Sequence, residues 1–214
     1  LSDFSGSDLH VTIKDFHDMR VRYAQLEEAV RMDRVGRVSG VSKELEFLYY
    51  NKERGCIISD LLNADRLPLR VTHNDTKISN VLFSEDMNEG LCIIDLDTVM
   101  PGTILFDTGD MIRSATTSAA EDESDLSLVR FNTAFYDALL VGYRSQADFL
   151  TNEEQALLKE SGRAITQIMA VRFFTDYLNG DIYYRIDRPT HNIDRARNQI
   201  ALIKDMDRKW DEVD

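Results

Sequence analysis

The fold is decided by two stretches, Val71-Thr-His-Asn-Asp-Thr-Lys-Ile-Ser-Asn-Val-Leu-Phe83 and Leu91-Cys-Ile-Ile-Asp-Leu-Asp97. The first ends in an apolar run, and the second is an apolar run that ends in two carboxylates. The residues between them, 84–90, are polar and have the composition of a hairpin turn. The sequence therefore predicts a loop, a strand, a turn and a second strand in this order.

The polar residues of these stretches have the order of a kinase catalytic loop, His73-x-Asp75-x-x-x-x-Asn80, followed by a strand ending in Asp95. The hairpin is expected to bring Asp75, Asn80 and Asp95 towards one point. Phosphoryl transfer needs a carboxylate that accepts the proton of a hydroxyl, and oxygen ligands for magnesium. We expect Asp75 to be the base and Asn80 and Asp95 to hold Mg²⁺. Lys77 can then reach the transferring phosphoryl group.

A structural explanation competes with this one for the first motif alone, because His73, Asp75 and Asn80 could simply stabilise a tight loop. The apolar run and Asp95 downstream, at a fitting interval, favour the catalytic interpretation.

At these residues the sequence resembles the aminoglycoside phosphotransferase and choline kinase superfamily, which shares the protein-kinase-like fold. Within it, residues 67–77, 94–102 and 106–113 are similar to the bacterial N-acetylhexosamine 1-kinases. The resemblance implies a mainly α fold with a small β-hairpin (α+β), the C-terminal lobe of a protein-kinase-like fold. It also implies ATP as phosphoryl donor, Mg²⁺, and a sugar acceptor phosphorylated on the anomeric hydroxyl of GlcNAc or GalNAc.

The resemblance adds candidate residues outside the loop. In the superfamily the aspartate at the position of Asp107 braces the catalytic loop by hydrogen bonds, so we expect Asp107 and His73 to have structural roles. In the hexosamine kinases an arginine in a matching Arg-Phe-(Phe/Leu)-Thr-Asp string contacts the sugar, which makes Arg172 the main candidate for substrate binding. Without the resemblance, Arg172 is a surface residue or the ion-pair partner of Asp176.

Three further residues are substrate-binding candidates. Asp97 is either a second carboxylate beside the metal or a group that orients substrate. Tyr183 and Tyr184 follow a predicted helix, where an aromatic face could stack on the C–H side of a sugar or belong to the core.

Amphipathic patterns predict helices on both sides of the hairpin. The predicted helices are one from about Lys14 through Val30, one from Ser42 with Leu45, Leu48 and Tyr49 inside, one over 126–140, one from the capping box Thr151-x-x-Glu154 to Asn179-Gly180, and one over 192–210. Residues 57–62 are expected to form a short helix or a turn. We also expect Pro101-Gly102 to force a turn and Cys92 to be a small core residue.

The length of 214 residues is that of one domain or of a substantial piece of a larger protein. Kinases of the resembled superfamily carry a nucleotide lobe before the catalytic loop, with a Gly-rich hairpin and a strand lysine. Only about seventy residues precede His73, and they contain no Gly-rich strand pair. We therefore expect residues 1–214 to be the helical C-terminal lobe, with the N-terminal nucleotide lobe absent from this chain.

The composition of the chain limits the classes of partner that it is expected to bind. The net charge of −13 argues against binding to nucleic acid or an anionic membrane, and no apolar run approaches the roughly 20 residues of a membrane span. Two cysteines make no disulfide framework, and no signal peptide is visible. We expect a cytoplasmic protein whose partners are ATP and a small-molecule sugar.

Three alternatives remain at this stage. Another small-molecule kinase, acting on an aminoglycoside, choline or an amino-alcohol, shares the chemistry and differs in the acceptor pocket. A non-catalytic kinase-like binding module is disfavoured by the intact set of Asp75, Asn80 and Asp95. A hydrolase acting on mucin-type sugars ranks last, because the sequence has no Cys/Ser-x-Pro-x-Arg motif and no histidine cluster.

Overall fold

Helices dominate the computed structural model, which describes residues 9–86 and 88–211. In this part of the chain the α-helices are α1 (Met19–Met32), α2 (Ser42–Tyr50), α3 (Lys52–Asn63), α4 (Ile104–Ala115), α5 (Thr133–Arg144), α6 (Asn152–Asn179) and α7 (His191–Asp211), and the strands are β1 (Arg70–Thr72), β2 (Val81–Phe83), β3 (Gly90–Ile93) and β4 (Met100–Gly102). The predicted fold class, mainly α with a small antiparallel β component, is confirmed. None of the described helices is long and apolar enough to cross a bilayer.

The predicted hairpin is formed by β2 and β3. These strands pair antiparallel, with Val81 opposite Ile93 and Leu82 opposite Cys92. The turn closes through a 2.8 Å hydrogen bond from the Ser84 N–H to the Glu89 carbonyl. The hairpin turn predicted from the polar composition of residues 84–90 therefore connects β2 to β3 as expected.

A second pair of strands, β1 with β4, was not predicted. Pro101 lies opposite Val71 in this pair, where the sequence had indicated only a turn. Proline is tolerated here because a strand in a two-stranded sheet needs N–H donors on one edge only. Gly102 is required by close approach: a Cβ at this position would collide with Thr72 Oγ1 and lie 3.0 Å from Asn74 Oδ1.

Two predicted helices begin later than expected, each at a capping side chain. The Asp18 carboxylate accepts a 3.1 Å hydrogen bond from the Val21 N–H, so α1 starts after it rather than near Lys14. Asn132 likewise accepts from the Phe135 N–H, so α5 starts there and not at residue 126. Apolar spacing alone cannot distinguish a helix from the turns that precede its cap.

Other helices agree more closely with their patterns. α2 begins at Ser42 as predicted, although Tyr49, expected inside, is exposed. α3 is longer than the predicted 57–62. The capping box at the start of α6 is confirmed by bonds from the Thr151 N–H to Glu154 Oε2 (2.8 Å) and from the Glu154 N–H to Thr151 Oγ1 (3.1 Å).

The described chain divides into two compact units. The first comprises 9–16, 60–116 and 132–162, and contains both strand pairs, α4 and α5. The second comprises 17–59, 117–131 and 163–211, and contains α1, α2 and α7. Each has its own apolar core, with Leu105, Ile112 and Leu158 fully buried in the first and Phe173, Phe174 and Ile203 in the second.

Candidate active site

The loop after β1 is held by α4, through Asp107 in its first turn. One Asp107 carboxylate oxygen accepts the His73 N–H at 2.9 Å and the other accepts the Asn74 N–H at 2.7 Å. The Asp107 carbonyl accepts from the Thr76 hydroxyl at 2.6 Å. Burial raises the pKa of Asp107 to about 6, against the two backbone N–H groups, which lower it. These hydrogen bonds connect α4 to the loop that carries Asp75.

His73 connects the loop to the end of β3. Its Nδ1 accepts from the Asp75 N–H at 3.3 Å, so Nε2 carries the proton and donates to the Ile94 carbonyl at 3.0 Å. The His73 carbonyl in turn accepts from the Thr98 hydroxyl at 2.7 Å. The ring thus fixes the spacing between the loop and the residue that precedes Asp95.

Asn74 is a structural residue that the sequence pattern did not reveal. Its backbone is left-handed, with a φ of 65°, which asparagine tolerates better than most side chains. The side-chain amide donates to the carbonyls of Thr72 and Thr98, each at 3.1 Å. Asn74 therefore turns the chain sharply just before Asp75, and its αL-tolerant residue type was the available signal.

The predicted base lies at the centre of a compact polar group. Lys77 Nζ is 2.8 Å from Asp75 Oδ2. Asn80 Nδ2 donates to the Asp75 carbonyl at 2.8 Å and to Asp75 Oδ2 at 3.0 Å. Asn80 is buried, whereas Asp75 and Lys77 are partly accessible. The structure therefore brings Asp75, Lys77 and Asn80 together, and the Asp75 carboxylate in this group is partly accessible.

Asp95 stands where β3 ends, in a left-handed conformation with a φ of 64°. The preceding N–H, that of Ile94, donates to the Asn80 carbonyl at 2.9 Å. Asp95 is exposed, and so is Asp97 in the short 3-10 helix Leu96–Thr98. The backbone hydrogen bond fixes the start of the carboxylate segment against Asn80.

Asn80 and Asp95 carry oxygen donors of the kind that magnesium binds. Because Asn80 Nδ2 is bonded to Asp75, the Asn80 amide oxygen is directed away from it, and Asp95 offers a carboxylate. In residues 9–86 and 88–211 no group of three or more His, Cys, Asp or Glu side chains could hold a metal. A hard cation that keeps waters and phosphate oxygens as most of its ligands needs only one or two protein oxygens.

The β2–β3 hairpin exposes apolar side chains, contrary to what the sequence indicated. Every position of β3 is exposed, including Cys92, which was predicted to be a small core residue. The wholly exposed strand is part of a two-stranded sheet, so its apolar composition does not imply burial. The exposed apolar side chains of this segment are Ile78, Leu82, Leu91, Ile93, Ile94 and Leu96.

The three remaining candidate residues, Arg172, Tyr183 and Tyr184, belong to the second unit. The seven candidate residues between His73 and Asp107 belong to the first. The Arg172 guanidinium lies 5.7 Å from the centre of the Tyr184 ring. Tyr184 packs on Phe173 with a centroid distance of 4.7 Å and meets Tyr183 edge-on at 4.8 Å. Burial raises the pKa of Tyr184 to about 12, against the Arg172 charge, which lowers it. Tyr184 is therefore packed, while Tyr183 is exposed.

Comparison with known families adds one finding. The family model of the phosphotransferase enzyme family (APH) matches residues 8–150, about two thirds of the chain. The matched region contains the whole hydrogen-bonded group around Asp75, the hairpin and α4, and it ends before Arg172.

Proposed function

Because the chain belongs to the phosphotransferase enzyme family, we propose that it transfers a phosphoryl group from ATP to a hydroxyl of a small molecule. The acceptor that we propose is the anomeric hydroxyl of an N-acetylhexosamine, GlcNAc or GalNAc. The observation that carries the proposal is the group in which Asp75 contacts Lys77 and Asn80 while Asp107 fixes the loop.

Asp75 is the base in this proposal. Its carboxylate orients the acceptor hydroxyl and takes the proton as the oxygen attacks the terminal phosphorus and the bond to the ADP oxygen breaks. Lys77, whose ammonium is within 3 Å of Asp75, places a positive charge where the phosphoryl oxygens carry negative charge. Mg²⁺ would be held by Asn80 and Asp95, and its charge neutralises the phosphates when it is bound.

The exposed apolar side chains of the β2–β3 hairpin support binding of the adenine base of ATP. Leu91 and Ile93 lie on the strand that leads to Asp95, so a base placed against them keeps its phosphates near the proposed metal ligands. The mainly helical fold also supports the proposal that this chain corresponds to the helical lobe of a kinase-like protein.

The acceptor-binding residues that we propose are Arg172, Tyr183 and Tyr184 in the second unit, and the first unit contributes Asp97 as a separate candidate hydrogen-bond acceptor. Arginine offers several N–H donors to sugar oxygens, and the exposed Tyr183 ring can stack against the C–H face of a hexose. The strings shared with hexosamine kinases are what favour an amino sugar over choline or an aminoglycoside.

The direct test is Asp75→Asn in the full-length protein, with Asp137→Asn on the exposed side of α5 as the matched control. We expect Asp75→Asn to lower kcat by about 10²–10⁴-fold because it removes the proton acceptor, with an unchanged melting temperature. ATP turnover would be measured with GlcNAc, GalNAc, choline and an aminoglycoside. Near-normal turnover in the variant would refute the base assignment, and preference for another acceptor would refute the sugar.

A further inference from the structure

The turn after α6 exposes two large apolar side chains on a rigid backbone. Ile182 is 78% and Tyr183 71% exposed. Gly180 and Asp181 precede them in left-handed conformations, with φ values of 96° and 61°. Neither side chain is part of the buried core, so both are accessible to a ligand.

A single buried carboxylate, that of Asp176 on α6, binds the backbone of this turn. Its Oδ1 accepts the N–H groups of Ile182 (3.0 Å) and Tyr183 (2.9 Å), and its Oδ2 accepts the N–H of Tyr184 (3.0 Å). Asn192 Nδ2 donates to the same Oδ2 at 2.9 Å. Asp176 is only 5% exposed, so these bonds form away from water, where each contributes more.

A second buried carboxylate strengthens the same turn. Asp181 accepts from Arg37 Nη1 at 2.6 Å and from Asn192 Nδ2 at 3.0 Å. Its own N–H donates to the Asp176 carbonyl at 2.8 Å. Asn192 therefore links both carboxylates, and Arg37 also donates to the Tyr177 carbonyl at 2.7 Å. Burying two carboxylates is costly unless their bonds are satisfied, and here they define one backbone shape.

We infer that Asp176 is a positioning residue for acceptor recognition: it holds the 182–184 backbone so that the exposed Tyr183 ring meets the Tyr184 ring edge-on, and the Tyr184 ring in turn lies 5.7 Å from the Arg172 guanidinium. The inference rests on the proposed function. A ring whose backbone is already fixed loses little conformational freedom when a sugar binds. More of the free energy of its contacts with the sugar therefore contributes to the affinity. Asp176 itself need not touch the acceptor.

The test compares Asp176→Asn, Tyr183→Ala and the double variant in the full-length protein, with Asp187→Asn as the control. Asp187 carries an exposed carboxylate three residues beyond Tyr184. In Asp176→Asn an amide N–H₂ group takes the place of one carboxylate oxygen. The turn therefore loses some of the hydrogen bonds that its N–H groups donate to Asp176. We expect the acceptor KM to rise about tenfold, equivalent to about 1.4 kcal/mol, with kcat and the KM for ATP within about twofold of wild type.

The double variant separates positioning from general destabilisation. If Asp176 acts through Tyr183, the double variant has the acceptor KM of Tyr183→Ala alone, because the ring to be positioned is already gone. An unchanged acceptor KM in Asp176→Asn, or independent multiplication of the two effects, would overturn the inference.

Hydrogen exchange of the wild-type protein gives a test that needs no variant. The N–H groups of 182–184 should exchange slowly although two of their side chains are exposed, and exchange at the rate of an open loop would overturn the inference. A wild-type protein without turnover on any acceptor would instead overturn the proposed function, and slow exchange would still support the positioning of the turn by Asp176.

Discussion

Asp107 is subject to two opposing effects. Its burial favours the neutral acid, whereas the N–H groups of His73 and Asn74 favour the carboxylate. Burial is the stronger effect, because the folded-state pKa is about 6 against an ordinary 3.8. The loop that presents Asp75 is therefore fixed by a group that changes charge not far below neutral pH.

This balance predicts a pH-dependent stability with a definite sign. Since the pKa of Asp107 is raised on folding, its contribution to the free energy of unfolding is full below about pH 4 and is lost as the pH rises through 6. We expect the unfolding free energy of wild type minus that of Asp107→Asn to fall by on the order of 1 kcal/mol between pH 5 and pH 7.5. Urea denaturation at several pH values measures it.

The control for this experiment is Asp137→Asn, whose difference from wild type should not share the trend. A difference between wild type and Asp107→Asn that stays flat, or that increases with pH, would contradict the raised pKa.

At the level of single residues, the sequence predicted contacts that are local in the chain. The contact of Asp75 with Asn80 spans five positions and follows from one loop, and it was expected. The role of Asn74 depends on Thr98, from the segment after β3, and no pattern in the loop indicates that partner. The role of Asp107 came from the resemblance, because its partners are backbone groups that every residue has.

Among the elements, the β1–β4 pair determines where the loop that carries Asp75 begins. Gly102 of β4 lies so close to β1 that a Cβ there would collide with the Thr72 hydroxyl. That hydroxyl lies 3.1 Å from both Asn74 Oδ1 and the Met100 carbonyl. A side chain at position 102 would therefore disturb the turn just before Asp75.

Gly102→Ala is predicted to destabilise the protein by about 1–3 kcal/mol, the usual effect of overpacking, and to lower turnover as well. Gly142→Ala on α5 is the matched control, because a Cβ there would meet open space. Gly142 lies in the last turn of α5, so its replacement by alanine should stabilise the protein by at most about 0.5–1 kcal/mol. Urea midpoints measure both changes, and a Gly102→Ala protein as stable as wild type would contradict the close approach.

The ends of helices agreed with the prediction where a capping residue or a glycine marked them. They differed from the prediction where only the spacing of apolar residues had been used. The capping box at Thr151 and the closing Gly180 located both ends of α6. α1 and α5 began late because Asp18 and Asn132 take the capping positions. β4 was missed because Pro101 suggested a turn, and strand pairing depends on a partner thirty residues away in the chain.

For the whole molecule, the proposed nucleotide site predicts stabilisation that depends on magnesium. A ligand at a hundred times its Kd adds about 2.7 kcal/mol to the free energy of unfolding. For the full-length protein we expect ATP with Mg²⁺ to raise the melting temperature by roughly 5 °C or more. ATP with EDTA, and Asp95→Asn with ATP and Mg²⁺, should each give a much smaller shift.

An equal shift in EDTA would show that the nucleotide binds without the proposed metal ligands. A full shift in Asp95→Asn, measured by differential scanning fluorimetry, would exclude Asp95 from the metal site.

The grouping of distant segments into compact units was the feature hardest to predict from the sequence. The division into two compact units joins segments that are far apart in the chain, such as 17–59 with 163–211, and no local pattern indicates this. Arg172 and Tyr183 became candidates through resemblance rather than through spacing. The net charge of −13 argued against nucleic acid and anionic membranes as partners, but it did not identify a partner.

The Asp75–Lys77 contact has a consequence for timing. If Asp75 is the base, as proposed, the Lys77 ammonium rests on the carboxylate that has to accept the proton. We therefore expect a phosphate that attracts Lys77 to free Asp75 for the acceptor hydroxyl, so that binding of the donor prepares the site for the acceptor.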